Sequence, residues 1–343
     1  MDFSSLNANQ DFFFIAEAGV NHEGSIEQAI KMVEKAAISG AHAIKFQAYT
    51  ADKLAHPIFA NAYWDKTEEK TESQHELFAK YETFSFSEWE RIKKACLENK
   101  IQFWLSIFDV ELAKNLYKLC DGLKVASGDI TFHRLHDFVL KTNLPSIFST
   151  GASNEDEICN LNKKIEDKNA ISLFCRLSYP TQDLNAEYGM FASLSRKYHS
   201  LKGISDHCKT LKGESVILAF TLGAVVVEKH FTITPNLKGN DHYHSITPEI
   251  LESTLQSIER MIDIYKVKSE TIPTLAEQPA RKGARRSLFY KSSLQKNHII
   301  TNQDFIELRP VVGIKASETF NVLGKTLNQN VKAGDPLFYE HLI

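Results

Sequence analysis

The chain alternates short, β-rich apolar runs with amphipathic helical stretches from residue 12 to about residue 267. The first unit sets the pattern. Residues 12–18 are continuously apolar except for Glu17, as expected of a strand buried on both faces. Ser25-Ile26-Glu27-Gln28 then reads as a capping box, in which the serine accepts from a free helix N–H and Gln28 reaches back. Ile26, Ala29, Ile30, Val33 and Ala37 recur at helical spacing, and Gly40 stops the helix. Similar apolar runs return at residues 43–46, 101–106, 123–126, 146–149, 171–175, 203–205 and 225–230. Helical patterns lie between them at 87–99, 110–119, 187–197 and 214–222, and a last one, at 247–265, follows the eighth run. Eight strand-like runs, each followed by a connection or helix, predict an α/β fold, a closed (β/α)₈ TIM barrel. The alternative is a doubly wound open sheet, but no glycine-rich dinucleotide loop follows the first strand.

The pattern changes after the barrel. The barrel domain is expected to span residues 1–266. Residues 267–286 are polar, carry Pro273, Pro279 and a basic cluster at Arg281, Lys282, Arg285 and Arg286, and read as a linker. Residues 287–343 form a small β-rich module with Gly313, Gly324 and Gly334 at its turns, short enough that docking or oligomerisation is expected.

Composition narrows the function classes. With 43% hydrophobic and 24% charged residues the chain reads as an ordinary globular protein. No apolar run approaches the ~20 residues that span a bilayer, and residues 1–10 lack the features of a signal peptide. The five cysteines (Cys96, Cys120, Cys159, Cys175 and Cys208) are scattered and form no CxxC pair, which fits reduced thiols and a cytoplasmic location. A net charge of −3 argues against a nucleic-acid surface, so an anionic small substrate would need its own lysines.

In a TIM barrel the C-terminal ends of the strands build the active site. Those ends give Glu17, Lys45, Gln47, Ser106, Lys124, Ser127, Ser149, Thr150, Tyr179, Ser205, Asp206, His207, Glu228 and His230. Period-two alternation puts Lys45 with Gln47, and Glu228 with His230, while Lys229 faces the other way. Singly, each of these residues has a plainer reading as a solvated charge, a satisfied polar group or a helix cap. Together, lysines and hydroxyls from several strands make a phosphate cradle, and two histidines on neighbouring final strands can share a metal ion with open positions.

These residues stand in motifs that resemble the sialic acid synthase family. The motifs are Ile15-Ala16-Glu17-Ala18-Gly19-Val20-Asn21-His22-Glu23-Gly24, Lys45-Phe46-Gln47, Lys124-Val125-Ala126-Ser127-Gly128-Asp129, Ser149-Thr150-Gly151, Tyr179-Pro180-Thr181, Gly203-Ile204-Ser205-Asp206-His207 and Glu228-Lys229-His230-Phe231. Arg286-Ser287-Leu288, Leu308-Arg309-Pro310 and Leu323-Gly324-Lys325 are similar to that family's antifreeze-like (SAF) domain. The resemblance implies condensation of phosphoenolpyruvate with an N-acylated amino hexose, by default N-acetylmannosamine, to a nonulosonic acid. It implies that Lys45, Ser106, Lys124, Ser127 and Ser205 hold phosphoenolpyruvate and that Gln47, Tyr179 and Asp241 hold the sugar. His207 and His230 would bind a divalent ion, typically Mn²⁺. Glu17 would act at the reacting carbons, together with the metal-binding His230. Arg309 would reach the N-acyl group from the partner subunit of a homodimer with exchanged C-terminal domains.

Legionaminate and pseudaminate synthases share these motifs. More remote alternatives are a barrel that condenses phosphoenolpyruvate with a phosphorylated sugar, and an inactive carbohydrate-binding barrel. The chain departs from the family pattern at Arg176 and Leu177, where polar residues often precede Tyr-Pro-Thr, at Ile107, where proline is common, and at Ala284, where an aromatic often precedes Arg-Ser-Leu. The Asp241-His242-Tyr243-His244 cluster could suggest a second metal site, against which stands the family's use of only the aspartate there.

Overall fold

The computed structural model describes residues 2–64, 66, 69–82, 84–239, 241–265 and 271–343. It divides into two compact units, residues 1–266 and 267–343.

The first unit is a closed parallel barrel in which β1–β8 pair in sequence order and β8 closes on β1. The strands are β1 (Phe13–Gly19), β2 (Ala43–Ala48), β3 (Gln102–Ile107), β4 (Gly122–Val125), β5 (Ser146–Ser149), β6 (Ala170–Cys175), β7 (Leu201–Asp206) and β8 (Val226–His230). Helices α1 (Ile26–Ile38), α4 (Phe86–Glu98), α5 (Val110–Leu116), α6 (His133–Lys141), α7 (Glu155–Ile165), α8 (Tyr188–Lys197), α9 (Gly213–Thr221) and α10 (Pro248–Ile264) follow the strands, and α2 (Ala51–Leu54) and α3 (Gln74–Lys80) interrupt the β2–α4 connection. The expected barrel is therefore present, with strand ends displaced by one or two residues from the apolar runs. At α1 only half of the expected capping box forms: Ser25 Oγ accepts from Gln28 N at 3.2 Å, but its hydroxyl turns to Glu27 Oε2 at 3.3 Å.

Strand alternation sorts the residues into two cores and a site. On β1, Phe14, Ala16 and Ala18 face the surrounding helices, whereas Phe13 and Ile15 point into the barrel with Ala43, Trp104, Ile147, Ile171, Leu173 and Val226. That inner plug is dense: a Cβ on Gly122 would lie 2.2 Å from the Trp104 ring, so only glycine leaves the indole its place. One step further along each strand the inward positions turn polar. Glu17 pairs in register with Lys45 and with His230, Gln47 with Ser106, Ser106 with Lys124, and Ser205 with Glu228. The barrel floor is hydrocarbon and its C-terminal mouth is charged.

The second unit contains an antiparallel pair, β9 (Ser287–Tyr290) and β10 (Phe305–Leu308), with isolated bridges around it. It has its own core, centred on Leu288, Tyr290, Ile300, Phe305, Leu327 and Leu337. The stretch expected to be only a linker is partly helical. A 3₁₀ turn at Leu275–Glu277 leads into α11 (Gln278–Ala284), where Thr274 and Glu277 form a capping box; residues 267–270 lie outside the described set. Ala284, one of the departures from the family pattern, is exposed at the end of α11.

Candidate active site

A cavity of about 330 Å³ opens over the charged mouth of the barrel, lined by Glu17, Lys45, Gln47, Ser106, Lys124, Ser127, Tyr179, Ser205, His207, His230 and Asp241. Every barrel residue that the resemblance assigned to phosphoenolpyruvate, sugar or metal thus lines one cavity, whereas the strand-end candidates Thr150 and Asp206 do not. Arg309 follows β10 in the second unit, where it is exposed.

Two lysines and two carboxylates occupy the cavity floor. Lys45 Nζ donates to Ser106 Oγ at 2.8 Å and forms an ion pair with Glu17. Lys124 Nζ donates to both oxygens of Glu228 at 3.0 Å, and Ser205 Oγ donates to Glu228 Oε1 at 2.8 Å. Lys45 Nζ stands 3.6 Å from Glu228 Oε2, so Glu228 bridges both ammonium groups. Burial would raise the Glu228 carboxyl, but Lys124 and Lys45 together hold it well below the usual carboxylate range. Burial pushes the Glu17 carboxyl up, Lys45 opposing and Glu228 adding to it. Burial likewise lowers the Lys124 ammonium, with Glu228 opposing. Gln47 Nε2 donates to Glu17 Oε1 at 3.0 Å and fixes the remaining face of that carboxylate. Ser127 Oγ accepts from Gly151 N at 3.0 Å, which leaves its own hydrogen for a ligand. Glu228 was visible in the sequence as the inward neighbour of His230. Its clamp on two lysines was not, because Lys124 comes from a strand four places away.

The histidines gather on the opposite side. His207 Nδ1 lies 2.9 Å from the Arg176 carbonyl oxygen, which can only accept. Nδ1 therefore carries a hydrogen, and Nε2 is the nitrogen left to face an ion or ligand. Tyr179 stacks against the His207 ring at 4.4 Å, and the His207 and His230 rings are 5.4 Å apart. His230 Nδ1 is buried with no hydrogen-bond partner among the described residues, as expected of a nitrogen meant for an ion or ligand. The donor set thus fits a divalent metal. Burial pushes the His230 imidazolium well below its ordinary value, favouring the neutral form that ligates. Asp241, half-buried, has its carboxyl raised to about 6 by desolvation, with His207 opposing.

Other residues were missed or misjudged. Ser149 Oγ is buried, unpartnered and on the cavity wall, whereas Thr150 turns its hydroxyl to the Leu173 carbonyl at 3.1 Å. Leu177 lines the cavity, but Arg176 pairs with Glu187 and contributes only its carbonyl, to His207. The excursion through α2 and α3 builds an apolar wall from Tyr49, Leu54, Leu77 and Phe78, with Trp64 beside it and Phe108 joining it from the end of β3. Lacking strand periodicity, that excursion gave no sequence signal of where it would fold.

Comparison with known proteins accounts for this arrangement. Residues 32–270 match the NeuB family and residues 285–343 the SAF domain. The chain is 33% identical to an N,N'-diacetyllegionaminic acid synthase of Legionella pneumophila, over 96% of this chain and 94% of that protein. It is 27% identical to a pseudaminic acid synthase of Campylobacter jejuni, over 98% of each. Among solved structures, an N-acetylneuraminic acid synthetase of Leptospira borgpetersenii, in complex with citrate, superposes with a TM-score of 0.68. That pair is 30% identical over 79% of this chain and 90% of the other. A closed barrel with lysines, carboxylates and histidines at its mouth, followed by a SAF domain, thus places the chain in the NeuB family of phosphoenolpyruvate-dependent nonulosonic acid synthases.

Proposed function

We propose that the cavity joins C3 of phosphoenolpyruvate to the aldehyde carbon of an open-chain N-acylated amino hexose. The observation that carries this reading is the convergence of Lys45 and Lys124, from β2 and β4, on one buried carboxylate with Glu17 alongside. In this reading Lys45, Lys124, Ser106, Ser127 and Ser205 bind the phosphate and carboxylate of phosphoenolpyruvate, the ammonium groups exchanging part of their contact with Glu17 and Glu228 for the ligand. Gln47, Tyr179 and Asp241 hold sugar hydroxyls. His207 and His230 hold a divalent ion, Mn²⁺ by the family resemblance, whose Lewis acidity polarises the sugar aldehyde when it is bound. As C3 attacks, positive charge develops at C2, and the Glu17 carboxylate stabilises it. Water then adds at C2, and the tetrahedral centre collapses with loss of phosphate to the 2-keto acid.

The acceptor by default is N-acetylmannosamine. The apolar wall favours a second reading, a hexose with a second acylamino group, as the name of the Legionella relative's product implies for that protein. Trp64 Nε1 on that wall is buried without a partner among the described residues and is suited to an acyl carbonyl. We further propose a cytoplasmic homodimer in which Arg309 reaches the N-acyl group in the partner's barrel. Free cysteines support the compartment, and no helix among the described residues is long and apolar enough to cross a membrane.

The test is phosphate release by the full chain with phosphoenolpyruvate, Mn²⁺ and a panel of mono- and diacylated amino hexoses. Turnover with at least one sugar, abolished by chelation and restored by Mn²⁺, is expected. Higher kcat/KM for a diacylated sugar would decide for the second reading. Full activity in exhaustively chelated protein would remove the metal from the mechanism.

A further inference from the structure

His244 is fully buried, and neither of its ring nitrogens has a hydrogen-bond partner among the described residues. A buried imidazole with two idle nitrogens is costly unless something binds it. Its neighbours show what could. One ligand atom each from His230, Asp241 and His244 lie within 4.8 Å of one another. The Asp241 carboxylate is split between the two rings: Oδ2 is 3.3 Å from His230 Nδ1, and Oδ1 is 3.7 Å from His244 Nε2. With metal–ligand bonds of about 2.0–2.2 Å, adjacent donors on one ion stand roughly 2.9–3.5 Å apart, close to these separations. The rings of His230 and His244 are 4.7 Å apart and inclined at 66°, while His207, beside this group, stands 5.4 Å from the first and 6.1 Å from the second.

We propose that His244 is a third imidazole donor and Asp241 a carboxylate donor to a single divalent transition-metal ion shared with His207 and His230. This rests on the metal-dependent reading above and deepens it. A three-imidazole, one-carboxylate set is nitrogen-rich and borderline-soft, so the site prefers Zn²⁺ or Co²⁺ to Mg²⁺ or Ca²⁺ and binds more tightly than two histidines could. The bound carboxylate still has lone pairs with which to accept a sugar hydroxyl. Tyr179, 5.9 Å from His244 ring to ring, closes the cluster toward the cavity.

The test compares wild type, His244→Gln, His244→Ala and His207→Ala as full chains stripped of metal and reloaded with Co²⁺. Calorimetry, metal content per chain, visible absorption of the Co²⁺ protein and the metal-induced rise in Tm are measured. Circular dichroism and urea unfolding confirm that each variant is folded. The expected result is one ion per wild-type chain, at least tenfold weaker binding in both His244 variants, an altered Co²⁺ spectrum and a smaller Tm rise. Wild-type affinity and an unchanged spectrum in His244→Gln, with His207→Ala impaired, would overturn the third donor and leave the proposed function standing. Two ions per wild-type chain, falling to one in His244→Gln, would overturn the shared ion. No ion in wild type would overturn both readings.

Discussion

Glu228 is buried on the cavity lining, within reach of two buried ammonium groups. Its role before any ligand arrives is to keep Lys45 and Lys124 charged and in place. Glu228→Gln should therefore lower stability by about 3 kcal/mol, since two buried cations lose their shared counter-charge. Phosphate or phosphoenolpyruvate should recover part of the loss, so the ligand-induced rise in Tm should be larger in the variant than in wild type. Equal rises would show that Glu228 does not compensate the lysines. Glu17 differs, since it touches one lysine and Gln47 rather than two lysines. Glu17→Gln keeps the shape, so phosphoenolpyruvate binding should stay near wild type while turnover falls ~10²-fold or more. A loss of affinity with turnover intact would make Glu17 a binding residue. Glu17, Lys45, Gln47 and His230 were legible in the sequence because alternation on a strand fixes which neighbours share a face. The Trp64 wall was not, and His244 stood out only within an Asp-His-Tyr-His cluster of unplaced partners, because both lie on connections whose position depends on tertiary packing alone.

Between β7 and β8 the outward faces carry a second, purely structural pair. Lys229 and Asp206 are fully buried against α9, with Lys229 Nζ 2.5 Å from Asp206 Oδ2. Ser215 Oγ donates to the same oxygen, and Cys208 N to Oδ1 at 2.8 Å. Burial alone would raise the Asp206 carboxyl, but Lys229 and these donors hold it at about 2. A depressed folded-state value stabilises the protein above the unfolded carboxyl's ordinary range, near 4, and the contribution is lost as pH falls toward 2. Asp206→Asn leaves Lys229 buried and unpaired and should cost about 3–5 kcal/mol in urea unfolding at pH 7. The gap to wild type should narrow as pH drops from about 4 to about 2. A gap independent of pH over that range would mean that the ion pair is not its source. The sequence did place Lys229 opposite to His230, as the structure has it, but named no partner. Adjacency of β7 and β8 supplies Asp206, and that follows only from strand order.

At the level of the whole chain, the proposed exchanged dimer has a direct genetic test. Glu17→Ala in one copy and Arg309→Ala in another should each be inactive alone. If the SAF module of one chain completes the barrel of its partner, a mixed dimer has one site with both defects and one with neither. Activity should return in co-expressed, co-purified mixtures. Mixtures as dead as their parents would exclude the exchange. The barrel itself carries a different consequence for how the enzyme is made. Glu17 lies on the first strand and pairs in register with His230 on the eighth. Glu17 and His230 therefore become neighbours only when the last strand locks onto the first. A nascent chain that has emerged as far as residue 225 holds seven strands, two unpaired edges and no working site. Catalytic competence in this protein is thus a readout of ring closure, and truncations anywhere before β8 should yield sticky, inert fragments rather than weak enzymes.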